Sequence, residues 1–283
     1  MSSEMMQILV PTDFSKNAWN ALKYGLDLYS GVNCTFYLLH VNPIPTYSGA
    51  ATSVRASSKM AQAAILKETK ESLDYLLLRI DNLPKNTKHS FITIALHDFF
   101  VDSIKREVET KNIDLIIMGT KGSSGLKKVT MGSNTGDVIT KVKCPLLAVP
   151  ENAVFKRPKE IAFPTDYFLR YNLKVLDTLI EMATLNNAAL RVLHVFKKGE
   201  VLSDEQQKNK DFLNDYLQEV EHSFHSLTGT DLETALQSFT ESRDSDMIAM
   251  VGKNLNFFQR ILFRPKIEQI SYYTDIPFLV LHE

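Results

Sequence analysis

Two stretches of this 283-residue chain carry residue types suited to a charged ligand. One is Met118-Gly119-Thr120-Lys121-Gly122, followed after nine further residues by Gly132-Ser133-Asn134-Thr135. Glycines three apart let a backbone turn sharply and come close to a ligand. Gly132 and Ser133 stand where a helix is expected to open, and the first N–H groups of a helix, with its dipole, favour an anion. The Ser133 and Thr135 hydroxyls add donors. Strand, glycine loop and helix start together describe a phosphate cradle. The competing reading is a glycine-rich surface turn followed by an ordinary serine N-cap. The other stretch is Val10-Pro11-Thr12-Asp13. Asp13 either hydrogen-bonds a ligand or caps the helix that follows, and Asp suits a cap.

These residues need a frame to hold them. Short apolar runs at Gln7 to Val10, Thr35 to Val41, Phe91 to Ala95, Leu115 to Met118 and Leu146 to Val149 read as strands. Between them, helices are expected at about Asn17 to Tyr29, Met60 to Ile80, Val101 to Lys111 and Ser133 to Val142. Ala18, Ala21, Leu22, Gly25 and Leu26 fall at helical spacing in the first. Continuous apolar strands between helices are covered on both faces. Their alternation predicts a parallel sheet with right-handed crossovers. Ligands bind such sheets beyond the carboxyl ends of the strands, where the strand order reverses. The loops after the first and fourth strands, which hold the two stretches, are in that position. The Ser-, Ala- and Thr-rich loop from Asn42 to Lys59 is expected to be mobile.

The pattern then repeats. Ile8 to Asp13 matches Ile161 to Asp166 at an offset of 153 residues. Leu38-Leu39-His40-Val41 matches Val192-Leu193-His194-Val195 at 154, and Asp114 to Met118 matches Asp246 to Met250 at 132. The second copy has therefore lost about 22 residues from its middle, and the polar stretch Pro150 to Lys159 marks the boundary. At the last offset Phe91 to Ala95 lands on Ser223 to Leu227, which reads as a helix end. The third strand is thus expected to be missing or vestigial in the second copy.

The second copy also loses the cradle. Gly119 becomes Val251, Gly122 becomes Asn254, Gly132 becomes Arg264, Ser133 becomes Pro265 and Thr135 becomes Ile267. Proline has no N–H to donate. Moving the alignment by one residue recovers Gly252 alone. Arg264 reads as a solvated surface charge. One nucleotide per chain is the expectation, in the first copy.

At this point a resemblance becomes specific. The spacing G-x2-G-x9-G followed by Ser resembles the ATP-binding signature of the universal stress protein family. The opening Val10-Pro11-Thr12-Asp13, the strand end Leu39-His40-Val41 and the closing Cys144-Pro145 resemble that family too. The resemblance covers almost the whole chain as a tandem pair. It implies an α/β fold of two Rossmann-like, adenine-nucleotide alpha-hydrolase-like domains, each with a parallel five-stranded sheet of order 3-2-1-4-5. Residues 1–151 would carry the intact motif, and 158–283 a degenerate, reduced copy. By the same resemblance, Pro11, Thr12, Asp13 and Val41 would surround adenine and ribose. Met118, Gly119 and Gly122 would flank ribose and phosphates, and Gly132, Ser133, Asn134 and Thr135 would hold the phosphates. The implied ligand is ATP, with Mg²⁺ as a candidate companion. Family members commonly dimerise through their last strand. Here Leu146 to Val149 and the strand at Phe278-Leu279-Val280 are expected to pair within one chain, hiding both edges and forming a pseudo-dimer. A further homodimer and the protein partners stay open.

Composition narrows the classes. A net charge of −1 gives no electrostatic case for nucleic acid or a membrane surface. No segment reaches the ~20 apolar residues of a membrane span, and Met1 to Met6 lacks the pattern of a secretory signal. Two cysteines, Cys34 and Cys144, make neither a disulfide framework nor a metal site, so a cytoplasmic protein is expected. His40 and His194 read as core histidines. His222 and His225, three apart on an expected helix, lack a ligating partner for a metal. No P-loop, dinucleotide fingerprint or nucleophile elbow occurs. The leading function is an ATP-binding regulator of a stress response with little or no catalysis. The rivals are a slow ATPase or nucleotidyl-transfer enzyme using Asp13, and a scaffold that binds no nucleotide.

Overall fold

The structure, a computed structural model, describes residues 5–44, 55–120, 133–168, 173–229, 231–251 and 275–282, without the side chains of 55–58 and 133. The chain forms two compact units. Unit 1 comprises residues 1–125 and 132–144, and unit 2 comprises 126–131 and 145–283. No helix among the described residues is long and apolar enough to cross a membrane.

Unit 1 runs β1 (Met6–Pro11), α1 (Lys16–Leu28), β2 (Cys34–Pro43), α2 (Arg55–Asp81), β3 (His89–Asp98), α3 (Phe100–Lys111), β4 (Leu115–Gly119) and α4 (Ser133–Lys141). Its parallel strands lie in the order β3-β2-β1-β4, the first four places of the expected arrangement. The apolar runs are here because both faces of β1, β2 and β4 are covered: Ile8, Leu9, Phe36, Leu38, Ile116 and Ile117 are all fully buried. Helix α1 turns Ala18, Ala21 and Leu22 inward. It also presses Gly25 so close to β4 that a Cβ there would sit 2.6 Å from Ile117 Cδ1. The inward stripe of α2 is Thr69, Leu73, Leu76 and Ile80, at alternating helical spacings of four and three.

Unit 2 contains β5 (Leu146–Val149), β6 (Glu160–Pro164), α5 (Leu173–Asn186), β7 (Ala189–Phe196), α6 (Asp204–Tyr216), β8 (His222–Thr228), α7 (Leu232–Arg243), β9 (Met247–Val251) and β10 (Phe278–Leu281). Its strand order is β5-β10-β9-β6-β7-β8. The strands from β6 to β10 are parallel to one another and reproduce the 3-2-1-4-5 pattern whole. Strand β5 pairs antiparallel with β10, with Leu147 opposite Leu279, and both strands are buried throughout. These are the two segments whose pairing the sequence predicted.

One expectation fails. The third strand of the second copy is present: β8 pairs with β7 from Leu190↔His222 to Phe196↔Thr228. The shortening lies instead in the preceding helix, where α6 has 13 residues and α2 has 27. The reason is exposure. Strand β8 ends the strand order of its unit and is buried on neither face, so its sequence is polar and shows no apolar run. His222 and His225 therefore lie on a strand, three apart and on opposite faces, which removes the helical metal pair.

The start of the unit 2 sheet holds a polar cluster. The Arg191 guanidinium donates to both Glu160 oxygens at 2.6 Å, to Glu221 at 2.9 Å and to Ser223 Oγ at 3.0 Å. Arg243 Nε adds a bond to Glu160 at 3.2 Å. The Arg191 hydrogen bonds hold the Glu160 carboxyl below the usual range, against the opposing effect of its burial. Burial pushes the His225 imidazole below its ordinary pKa, and the two arginines act the same way.

Candidate functional site

The turn after β1 is built by its own side chains. Thr12 N–H donates to the Leu39 carbonyl at 2.8 Å and carries the β1–β2 ladder one residue past the strand. The chain then reverses through Phe14, which has a left-handed φ of 61°. Thr12 Oγ1 accepts the Phe14 N–H at 3.0 Å, and Asp13 Oδ1 accepts the Ser15 N–H at 3.0 Å. The N-cap of α1 is Ser15, whose Oγ accepts from Ala18 N–H at 3.2 Å. Asp13 thus shapes the turn before the helix instead of capping it. His40 Nδ1 lies 2.7 Å from the Thr12 carbonyl. A carbonyl can only accept, so this nitrogen carries the proton. The His40 ring stacks on Phe14 at 4.7 Å.

Unit 2 repeats the device almost bond for bond. Tyr167 has a φ of 58° and donates to Thr165 Oγ1 at 3.1 Å. Phe168 N–H donates to Asp166 Oδ1 at 3.0 Å, and His194 Nδ1 reaches the Thr165 carbonyl at 2.8 Å. His40 and His194 are therefore structural histidines that brace a turn. Because unit 2 keeps these bonds without the glycine loop, they belong to the architecture of the fold.

The described members of the expected site come together at one end of the unit 1 sheet. Register pairs Pro11 with Leu39, two residues before Val41, and pairs Ile8 with Leu115, three before Met118. Pro11, Val41 and Met118 are buried, while Thr12, Asp13 and Gly119 are half-buried. Thr135, 3% exposed, donates its hydroxyl to the Gly119 carbonyl at 2.8 Å and so seats the start of α4 on the end of β4. Asn134 beside it is exposed. Gly122, Gly132, Asn254, Arg264, Pro265, Ile267 and Gly252 lie outside the described residues, as does the side chain of Ser133.

Two features were not legible in the motif. Gly119 is a glycine for packing: a Cβ there would stand 3.1 Å from the Asn17 carbonyl oxygen and 3.2 Å from its carbon. The first turn of α1 therefore lies against the end of β4, and Val251, at the corresponding end of β9, carries a full side chain. Beyond Val41, Asn42 Nδ2 donates to Thr69 Oγ1 at 2.8 Å and to the Leu96 carbonyl at 3.3 Å, tying α2 and β3 to the end of β2.

This end of the sheet combines apolar surface, one acceptor carboxylate and helix N–H donors. Pro11, Val41 and Met118 are apolar, Asp13 supplies a carboxylate, and the first N–H groups of α4 have no intrahelical acceptor. Among the described residues no group of three or more His, Cys, Asp or Glu side chains could hold a metal ion.

Comparison with known proteins agrees with this frame. The sequence model of the universal stress protein family matches residues 5–150, just over half of the chain. A universal stress protein of Methanocaldococcus jannaschii is 25% identical over 154 residues, covering 54% of this chain and 84% of the relative. A second from the same organism is 27% identical over 161 residues, covering 53% and 97%. The crystal structure of a universal stress protein from Archaeoglobus fulgidus superposes with a TM-score of 0.70 at 20% identity, over 98% of both chains, and establishes the fold across the full length.

Proposed function

Because the chain belongs to the universal stress protein family, we propose that its first repeat binds an adenine nucleotide, ATP foremost, at the carboxyl ends of β1, β2 and β4. Pro11 and Val41 wall the base, Thr12 and Asp13 face the ribose, and Met118, Gly119 and Gly122 flank ribose and phosphates. Gly132, Ser133 and Asn134 present the phosphate donors with the backbone N–H of Thr135, whose hydroxyl, expected from the sequence to add a donor, is instead committed to the Gly119 carbonyl. The observation that carries this reading is the Thr135–Gly119 bond, which holds a helix N-terminus against the end of β4, one strand from the Thr12–Asp13 turn. An anion lying there meets unsatisfied backbone N–H groups.

Bound ATP supplies a phosphoanhydride and a coordinating surface for Mg²⁺. The chain supplies binding and orientation. Asp13 is the one carboxylate in the proposed set, and one of its oxygens already accepts the Ser15 N–H. Unit 2 keeps the turn without the cradle, so occupancy is one nucleotide per chain.

The test is to purify the protein without added nucleotide, denature it and identify the released ligand by mass spectrometry. A micromolar site is worth about −8 kcal/mol, and added ATP restores any ligand lost on purification. The expected result is one adenine nucleotide per chain, absent from Gly122→Val. Two equivalents per chain would refute the assignment to the first repeat alone. A protein that releases none and fails to bind added ATP would refute the reading altogether. Sustained phosphate release that is lost in Asp13→Ala would make the protein an enzyme.

A further inference from the structure

On the other face of the unit 1 sheet, α1 and α2 stand apart around a cavity of about 390 Å³. Val10, Leu22, Leu38 and Leu76, all buried, form its floor. Phe14, Trp19 and Tyr75 form its aromatic walls. It shares Thr12 with the proposed nucleotide site and nothing else. Val41 lies three residues beyond Leu38 on the same strand and so points to the opposite face. The volume is that of a small-molecule pocket.

The second repeat is arranged differently at the corresponding turn. Tyr167 stands where unit 1 has Phe14, and it is 2% exposed. Helix α6 is fastened over it: Gln206 Nε2 donates to the Asp166 carbonyl at 2.9 Å, and Asn209 Nδ2 to the Tyr167 carbonyl at 2.6 Å. Leu213 of the same helix is fully buried. In unit 1 the longer α2 presents Glu68, Glu71, Ser72, Tyr75 and Arg79 to the cavity instead.

The charges of the lining are separated along α2. Arg79 lies over the Trp19 ring, 4.0 Å from its centre, at one end. Two turns or more toward the N-terminus stand Glu68 and Glu71. Among the described residues the Glu68 carboxylate meets no cation. Glu71 meets Lys67 at 4.0 Å, with both side chains mostly exposed, a pairing of little strength. An apolar channel with aromatic walls and a carboxylate lip is the arrangement that takes a cation on a hydrocarbon body.

We propose that this groove is a second ligand site, and that it takes a small amphipathic cation whose apolar body lies among Phe14, Trp19, Leu22 and Leu76 with its ammonium head at Glu68 and Glu71. Arg79 sets the direction by repelling the head from its own end.

Trp19 is the single tryptophan of the chain, so its emission reads the groove directly. The full-length protein is titrated with n-octylammonium and, separately, with octanoate. The expected result is a saturable emission change with octylammonium, and a Kd for octanoate at least about tenfold weaker. Glu68→Gln combined with Glu71→Gln lies on an exposed helix face and leaves the fold intact. It should weaken octylammonium about fivefold or more and narrow the gap to octanoate. Saturating ATP should leave the octylammonium Kd unchanged. Equal or tighter octanoate binding would overturn the proposal and assign the groove to anions through Arg79. An unsaturable response, an unaffected double variant, or displacement by ATP would each overturn it as well.

Discussion

Gly119→Ala tests whether the first glycine of the motif serves packing. Its φ lies outside the left-handed region, so alanine suits the backbone and by itself would stabilise the chain by about 0.4–1 kcal/mol through the unfolded state. Against this stand three contacts of the new methyl with Asn17, at 3.1 Å to its oxygen, 3.2 Å to its carbonyl carbon and 3.3 Å to its Cβ. Two of the three are backbone atoms in the first turn of α1, which cannot swing aside as a side-chain tip would. Overpacking of this kind costs about 1–3 kcal/mol. Relative to a glycine-to-alanine change with the same unfolded-state gain and no clash, the loss is then the full overpacking cost of about 1–3 kcal/mol. The assay is urea unfolding followed by Trp19 fluorescence, which reports unit 1 because no other tryptophan exists. Gly31→Ala is the control, since a Cβ there meets nothing within 4 Å, and it should be neutral or slightly stabilising. If Gly119→Ala proves as stable as Gly31→Ala, the close approach of α1 to β4 is not what requires a glycine there.

Two further outcomes follow from buried groups. The Glu160 carboxyl is held below its ordinary value of about 4.3, so its contribution to stability is complete above that pH and is lost as the pH falls through the lower folded value. Glu160→Gln should cost about 1.5–3 kcal/mol at neutral pH. It should also flatten the acid limb of a circular-dichroism stability profile, and an unchanged limb would refute the role of the Arg191 pair. The Cys34 thiol is pushed up to about 12 by burial and by Asp114, and Cys144 is also buried. Neither should react with a thiol-disulfide reagent at pH 8 until the protein is unfolded, and then both should. Rapid labelling of the native protein would contradict the burial.

The two repeats differ in how much of their structure the sequence reveals. Strand β5 was read to the residue, Leu146 to Val149, because a strand buried on both faces must be apolar along its length. Strand β8 was missed because it ends the strand order of its unit, where Ser223, His225 and Ser226 are tolerated, and that polar run carries no strand period. The site divides in the same way. The grouping of Pro11, Thr12, Asp13, Val41, Met118 and Gly119 is implied by the family resemblance, and the strand register brings these residues to one end of the sheet. What each side chain bonds to follows from neither. That Ser15, and not Asp13, caps α1 depends on where Phe14 turns the chain. That Gly119 answers to Asn17 depends on how closely a helix distant in sequence lies against the strand end. The cavity between α1 and α2, at a place where the second repeat fastens α6 to the turn, is a property of helix spacing that no single residue encodes. Sequence alone determined the repeat, the alternation and the position of the glycine motif between β4 and α4, because these arise from hydrophobic periodicity and glycine spacing along the chain. Tertiary structure alone decided the contacts, because those are set by distances between elements far apart in the chain.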